Sequence, residues 1–175
     1  KATVYVVVGD LLVPAGWSIQ DVIDDAEAGQ VIAVAPAEYK EQLVIDKPLT
    51  LLGPNAGIAG DSTDRLGEAT ITYPEQITDT SDKSLIRAVS SNVTVKGFYF
   101  ENSDLYVYEA GDIYEELYFE GENIIFENNR VKVLADKLAI RIRGPIPEST
   151  QLINVGPYDG AVISNNYIEG LSNRS

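Results

Sequence analysis

The sequence predicts an all-β chain in which short parallel strands repeat as a solenoid, with one helix near its beginning. Three observations support this fold class. Short β-branched runs alternate with turn residues over most of the chain. A strand–corner–strand pattern recurs in the second half. A helical period is found in one segment alone, so a doubly wound α/β fold is not expected.

The helix is expected over residues 18–28. Ser18 is the predicted N-cap, because its hydroxyl can accept a hydrogen bond from the first turn, and Asp21 suits the positive end of the helix dipole. Gly29 is expected to end the helix in a left-handed conformation. The apolar residues at helical spacing are Ile19, Val22, Ile23 and Ala26.

Strands account for most of the remaining chain. A Val-rich segment over residues 2–13, ending before Pro14, is expected to form one strand or two strands broken at Gly9-Asp10. The later strands are expected within residues 31–35, 42–45, 49–52, 69–73, 85–89, 92–100, 123–126, 130–134, 138–142 and 160–163. We therefore expect a single domain, with the first strand and the helix in residues 1–30 and the coils in residues 31–175.

A loose internal repeat joins three of these segments. Each unit is a short apolar strand, a polar corner and a second apolar strand, and the units begin at Asn92, Asn123 and Gly160. Residues 48–53 resemble the first half of the same unit. The unequal spacing indicates loops of different length inserted between similar corners. In a solenoid, such units stack in parallel and bury one continuous column.

Two asparagine pairs fall at equivalent corners of this repeat, Asn128-Asn129 and Asn165-Asn166. Asparagine tolerates left-handed dihedral angles, and its side chain can bond to the backbone at a turn. We therefore expect structural corner residues, with ligand contact as the alternative.

The stretch from residue 16 to residue 54 carries a more specific signal. It joins Ser18-Ile19-Gln20 to the run GQVIAVAPAEYKEQLVI of residues 29–45 and to the run LTLLG of residues 49–53. This stretch resembles the N-terminal cap and first coils of the pectin-lyase-like superfamily. The resemblance implies a right-handed parallel β-helix with a short N-terminal capping helix.

Two residues of this stretch match positions of the family motif, Tyr39 and Glu41, whereas Ala37 replaces the glycine of that motif. The resemblance implies structural roles for both. Tyr39 would close the first coil, and Glu41 would satisfy nearby donors.

Composition excludes several classes of function. The chain has 13 basic and 27 acidic residues and a net charge of −14, which argues against binding nucleic acid or an anionic membrane surface. No apolar run reaches the ~20 residues that span a bilayer, so membrane insertion is not expected. The absence of Cys and His removes disulfides, thiolate nucleophiles and histidine-based catalysis.

The motifs of the β-helix polysaccharide enzymes are largely missing. The segments that carry the aspartate pair of pectin methylesterases are absent. The run Arg141-Ile142-Arg143 resembles a polygalacturonase motif, and residues 143–148 depart from the arginine pattern of pectate lyases at Glu148. We expect Arg141 and Arg143 to lie on an outward strand edge, because they alternate with isoleucines. If the chain is an enzyme, the resemblance implies a polysaccharide lyase or a glycoside hydrolase.

The segment from Glu101 to Glu127 holds nine acidic residues and no Lys or Arg. We expect an acidic, aromatic insertion near residues 101–122. It is either a solvated β insertion whose aromatic residues pack on the coils, or a loop that binds a cation, a glycan or a partner. The candidate residues for glycan or partner contact are Tyr106, Tyr108, Tyr114, Tyr118, Arg141 and Arg143.

Calcium is the one cofactor that the acidic residues suggest. The candidate ligands are Asp61, Asp64, Glu68, Glu115 and Glu116. For the first three, a self-bonded turn in which Arg65 pairs with an acid is the favoured alternative.

These observations favour a non-catalytic structural or adhesive module of an extracellular or cell-surface protein, such as an S-layer, adhesin or filament component. We expect association with a second copy or with another surface protein, because an open solenoid end exposes unpaired strand groups. The alternative is a carbohydrate-active module, either an enzyme fragment or a glycan-binding domain. We also expect the chain to be a piece of a longer protein or to have lost a leader.

Overall fold

The computed structural model describes residues 8–74, 84–101, 115–134, 138–143, 153–155 and 160–171. Within these residues the chain forms one helix, α1, at Ile19–Asp25. The strands are β1 Leu11–Val13, β2 Val31–Val34, β3 Ala37–Lys40, β4 Leu43–Ile45, β5 Thr50–Leu52, β6 Ala69–Thr72, β7 Ile86–Ala88, β8 Thr94–Lys96, β9 Tyr99–Glu101, β10 Glu115–Glu120, β11 Ile125–Glu127, β12 Arg130–Leu134, β13 Leu138–Arg143, β14 Ile153–Val155, β15 Val162–Ser164 and β16 Tyr167–Leu171.

The strands form three sheets in which every pairing is parallel. Sheet 1 has the order β1-β2-β5-β8-β11-β15, sheet 2 has β3-β6-β9-β12-β16, and sheet 3 has β4-β7-β10-β13-β14. From β2 to β13 the chain visits sheets 1, 2 and 3 in strict turn, and we call each such passage a round. The all-β class with parallel sheets is confirmed, and the arrangement is compatible with a β-solenoid.

The register of sheet 1 confirms the internal repeat. Thr94, Ile125 and Val162 lie at one register position in β8, β11 and β15. Each is two residues after the start of its repeat unit. The β5 strand joins the same column, because Leu51 pairs with Val95. The partial unit at residues 48–53 therefore differs from the others only after its first strand, where a long loop replaces the tight corner.

The core is a set of inward rows that run from round to round. In sheet 1 the row contains Ile32, Leu51, Val95 and Phe126, each fully buried. Phenylalanines join the sheets across the centre: the ring of Phe126 lies 5.7 Å from that of Phe100 and 5.6 Å from that of Phe119, between centroids. The interior of rounds three and four is therefore a single packed layer of apolar side chains shared by all three sheets.

The helix α1 begins as predicted and ends earlier. The hydroxyl of Ser18 accepts a hydrogen bond from the amide of Asp21 at 3.1 Å, so the N-cap is confirmed. The helix ends at Asp25, with Ala26 as its C-cap in place of Gly29. The ammonium of Lys47 donates hydrogen bonds to the carbonyls of residues 23, 24 and 26 at 3.1, 3.0 and 3.2 Å. These carbonyls at the end of the helix therefore have a partner, although the helix does not continue to Gly29.

Four strands lie outside the predicted ranges: β3, β10, β14 and β16, of which β16 is anticipated only as the second strand of the repeat unit that begins at Gly160. The acidic residues of β10 made a strand unexpected there, yet Leu117 and Phe119 within it are fully buried. Residues 115–120 therefore belong to sheet 3 and not to an insertion, which narrows the insertion expected near residues 101–122. Its residues 102–114 lie outside the described residues, as do residues 2–7 of the strand segment predicted over residues 2–13.

Of the residues that the structure describes, none forms a helix with the length and apolar character that crossing a membrane requires.

The rows make a direct prediction about stability. Phe126→Ala should lower the free energy of unfolding by about 3–5 kcal/mol, because it leaves a cavity in contact with all three sheets. Ile125→Ala, one residue earlier on the half-buried outer side of the same strand, is the matched control and should cost clearly less. Urea unfolding of both variants measures the difference, and equal losses would contradict the assignment of the inward row.

Candidate functional site

Glu41 fastens the start of α1 to the first round. One carboxylate oxygen accepts a hydrogen bond from the amide of Ile19 at 2.8 Å. The other accepts from the hydroxyl of Ser18 at 2.8 Å and from the amide of Gln20 at 3.2 Å. The amides of the first helical turn have no intrahelical partners, so a carboxylate at this place satisfies them and completes the cap.

Tyr39 closes the turn between β2 and β3. Its side chain is buried, and its hydroxyl donates to the carbonyl of Ala35 at 2.8 Å. Burial raises the pKa of the Tyr39 phenol, and the negative charge of Glu41 raises it further, so the group stays a neutral donor. Tyr39 thus contacts the backbone of its own turn, and Glu41 contacts the start of α1.

The end of the sheets next to β1 is closed by α1. Ile19 and Ile23 are buried and pack into the core of the first round. Asp21, Asp24 and Asp25 are exposed. The helix thus covers the apolar rows with its inner side and presents acids outward, and we call this the closed end.

The corners between sheets 1 and 2 are held by asparagines. Asn128 and Asn165 have φ angles of +58° and +53°, in the left-handed region that asparagine tolerates. The next residue in each case, Asn129 or Asn166, binds the preceding round. The expectation of left-handed corner residues bonded to backbone is confirmed.

The two inner asparagines make the same pair of bonds, one round apart. The side-chain oxygen of Asn129 accepts from the amide of Phe98 at 3.0 Å, and its nitrogen donates to the carbonyl of Val95 at 3.0 Å. Asn166 accepts from the amide of Asn129 at 2.9 Å and donates to the carbonyl of Phe126 at 2.7 Å. Each asparagine therefore satisfies two backbone groups that the turning chain leaves unpaired.

A loop runs along these corners from round to round. We call residues 54–68 the strap. Its Ala56 carbonyl accepts from the side chain of Asn128 at 2.6 Å, and its Gly60 amide donates to the carbonyl of Asn165 at 2.8 Å. Gly60 lies so close to the backbone of Asn129 and Tyr167 that a Cβ would not fit there.

Arg65 fixes the strap to the corner. Its side chain is 2% exposed and forms a bidentate ion pair with Glu68, with both contacts at 2.8 Å. Its remaining nitrogen donates to the carbonyl of Asn128 at 2.7 Å. Glu68 also accepts from the side chain of Asn55, which is fully buried. The strap is thus held by a hydrogen-bonded charge pair in which the Arg65 side chain is buried and Glu68 is partly buried.

One of the candidate calcium ligands, Glu68, is already bonded within this network. Glu68 is bound by Arg65, whereas Asp61 and Asp64 are exposed. The arrangement is the turn with an Arg65 ion pair that the sequence favours over a cation site. Glu115 and Glu116 lie on β10 in sheet 3. Across the part of the chain that the structure describes, no three carboxylates are grouped in a way that could hold a metal ion.

Three of the candidate contact residues, Tyr118, Arg141 and Arg143, lie on strands of sheet 3. Arg87, Tyr118 and Arg141 occupy one row in β7, β10 and β13, and Arg143 lies opposite Glu120. Tyr118 is 9% exposed, and its hydroxyl donates to Glu120 at 2.9 Å. The other candidates, Tyr106, Tyr108 and Tyr114, lie outside the described residues.

The opposite end of the sheets differs from the closed end. Ile163 and Ile168 continue the inward rows of Phe126 and Val131, which are 0% and 1% exposed, yet both isoleucines are only partly buried. The neighbouring Val162 and Tyr167 are 40% and 43% exposed. Within the described residues, β15 and β16 are the last strands of their sheets. We call the edge of β15 and β16 the open end and take it as the candidate functional site.

Sequence reasoning located the strands of the open end but missed its specific character. The corner residue Asn166 was predicted, whereas Glu169 in the outer row of β16 was missed and is recognised by comparing it with Lys132 one round earlier. The period of the repeat is the sequence feature that could have identified this position.

Comparisons of the chain with protein-family models, with curated proteins and with solved structures found no match. The likeness of residues 16–54 to one superfamily therefore rests on the sequence motif, and the three parallel sheets are compatible with it.

The corner bonds predict a large effect of one side chain. Asn129→Ala should lower the free energy of unfolding by about 2–4 kcal/mol, because two buried backbone groups lose their partners. Asn166→Ala removes the equivalent bonds at the more exposed open end and should cost less. Thermal and urea unfolding compare the stabilities of the two variants. If Asn129→Ala left the free energy of unfolding unchanged, the corner would not depend on the side-chain bonds of Asn129.

An outer row of sheet 1 predicts a pH effect. Bonds from Lys96 and Ser164, each 2.6 Å long, lower the pKa of Glu127 below its ordinary value of 4.5. The carboxylate therefore contributes stability above that pH, and the contribution is lost as the pH falls through the lowered pKa. Wild type should exceed Glu127→Gln in unfolding free energy at pH 7, and the gap should shrink at pH 3.

Glu122→Gln, at an exposed acid on the turn before β11, is the control for that measurement. It should change stability by less than about 0.5 kcal/mol. A gap between wild type and Glu127→Gln that is the same at both pH values would contradict the linkage.

Proposed function

We propose that this chain is a non-catalytic structural or adhesive module of an extracellular or cell-surface protein, folded as a right-handed parallel β-helix of the pectin-lyase-like type. The cyclic order of the three sheets, the helix at the start and the asparagine corners support the fold. Surface-layer, adhesin and filament proteins are the classes to which such a module is suited.

The difference between the two ends carries the proposal. One end is covered by α1, with its apolar side inward and its acids outward. At the other end Ile163 and Ile168 are partly exposed at the edge of parallel sheets. An uncovered strand edge with an exposed apolar row pairs readily with another chain. Association through the open end is therefore the activity that this architecture favours.

The use of polar side chains supports a structural role. The side chains of Asn55, Asn129 and Arg65 are buried and that of Glu68 is partly buried, and each is bonded to the strap, to a corner or to another of the four. Catalytic groups need to face a substrate, whereas these groups face backbone. Their arrangement stiffens the stack of rounds.

Association is testable by light scattering over a range of concentrations. Wild type should form a reversible dimer through two open ends, because the closed ends stop further growth. Ile168→Asp should be monomeric, because it places a charge in the inward row of the open end. Val44→Asp is the control, since it places the same charge on a residue that is 42% exposed in the first round of sheet 3, away from the open end. A wild-type protein that stays monomeric throughout would contradict self-association.

The same measurement in millimolar calcium and in chelator tests whether calcium, the cofactor that the acidic residues suggest, takes part in the association. Dimerisation that requires calcium would place cations among the acidic residues of the interface. Indifference to both conditions would remove calcium from the proposal.

A second candidate function, glycan binding, is favoured by the row on sheet 3. Two arginines stand in register on either side of Tyr118. Arginine and aromatic side chains suit acidic sugars and sugar faces. A polysaccharide panel tests this candidate, with Tyr118→Ala expected to reduce binding.

A further inference from the structure

We infer that the open end binds one more round of the same kind, supplied as a strand–Asn-Asn–strand segment of defined pattern. The segment carries an apolar residue three positions before its second asparagine and a Lys or Arg three positions after it. The inference rests on the proposed association through the open end, and it specifies the partner's chemistry. Backbone bonds, charge and apolar burial each define one part of the pattern.

The backbone bonds define the asparagine. Asn129 and Asn166 each bind one amide and one carbonyl of the round before. One round further along, the equivalent groups are the amide of Asn166 and the carbonyl of Ile163, both at the open edge. An asparagine side chain on the next strand would accept from the first and donate to the second. The residue before it would take the left-handed conformation of Asn128 and Asn165.

The outer row of sheet 2 defines the charge. Glu101, Lys132 and Glu169 lie at one register position in β9, β12 and β16. The ammonium of Lys132 bonds the carboxylate of Glu101 at 2.7 Å. Glu169 is exposed at the open end. A cation at the next position continues the alternation, whereas an acid there would face Glu169 directly and repel it.

The inward rows define the apolar positions. Phe126 lies three residues before Asn129, as Ile163 lies three residues before Asn166. The next round would bury the exposed parts of Ile163 and Ile168 with an apolar residue at the same place. Burial of this apolar surface favours binding of the segment.

The closed end of a second copy does not fit this pattern. Its exposed Lys40 lies in β3 at the register position of Glu169 and would match the charge, but the corner of the closed end does not supply the backbone bonds. Pro14 follows β1 there, where the open end needs an asparagine. Head-to-tail addition is thus disfavoured, and the dimer through two open ends is a weak substitute for the matching segment.

The chain itself contains a segment of the required pattern, which serves as the probe. Residues 123–134 hold Phe126, the Asn128-Asn129 corner and Lys132. A synthetic peptide of this sequence should bind the full chain saturably in calorimetry and should dissociate the dimer. Peptides with Asn129→Ala and with Lys132→Glu should bind about tenfold and about fivefold more weakly.

A charge exchange provides the decisive control. Glu169→Lys in the full chain should reverse the preference, so that the Lys132→Glu peptide becomes the tighter ligand. Equal binding of all peptides, no saturable binding, or an unchanged preference in Glu169→Lys would overturn the inference. A wild-type dimer that no peptide dissociates would overturn it while leaving the proposed association intact, and a monomeric chain would count against the association itself.

Discussion

The structure depends on one constraint: every round must turn at the same place as the round before it. Parallel pairing in register transmits the position of a turn from strand to strand, so a displaced corner would send the inward row to the solvent side. The corner between sheets 1 and 2 meets this constraint chemically. Asn128 and Asn165 take the left-handed turn, and the asparagine after each binds the backbone one round earlier.

The same constraint explains why the strap matters. The second round lacks a tight corner, since residues 54–68 intervene between β5 and β6. The strap uses this length to lie along the corners of later rounds, where Arg65 and Gly60 contact their backbone. The pair of Arg65 and Glu68 gains its value from these extra bonds, because an ion pair alone seldom offsets its desolvation. The loop of the second round thus stabilises the corners of the later rounds.

Parallel strands of this kind can stack without limit, so each end of the stacked sheets must be covered in its own way. At the closed end, α1 supplies apolar residues toward the core and acids toward water, and Glu41 and Lys47 hold its two ends. At the open end the rows and the corner stop, within the described residues, at β15 and β16, where Ile163 and Ile168 are only partly buried. The functional proposal follows from this asymmetry, because the groups that stabilise one round against the next are the groups that a partner would use.

Much of the fold could be predicted from the sequence, because its signals are local. Alternation of apolar residues predicted most strands, left-handed asparagines marked the corners, and the repeat predicted the register of β8, β11 and β15. The strand β10 was missed, since its acids outweigh Leu117 and Phe119 in any local measure. The open end could be predicted only as an expectation that solenoid ends need covering.

By itself the sequence determined which residues face inward and where the chain turns, since both follow from period and from the dihedral preferences of single residues. Only the tertiary structure decided which polar groups are partners. Glu41 reaches α1 across 22 residues, and Arg65 reaches the corner at Asn128 across 63. Such pairs carry no local pattern, because their geometry exists only after the rounds have stacked.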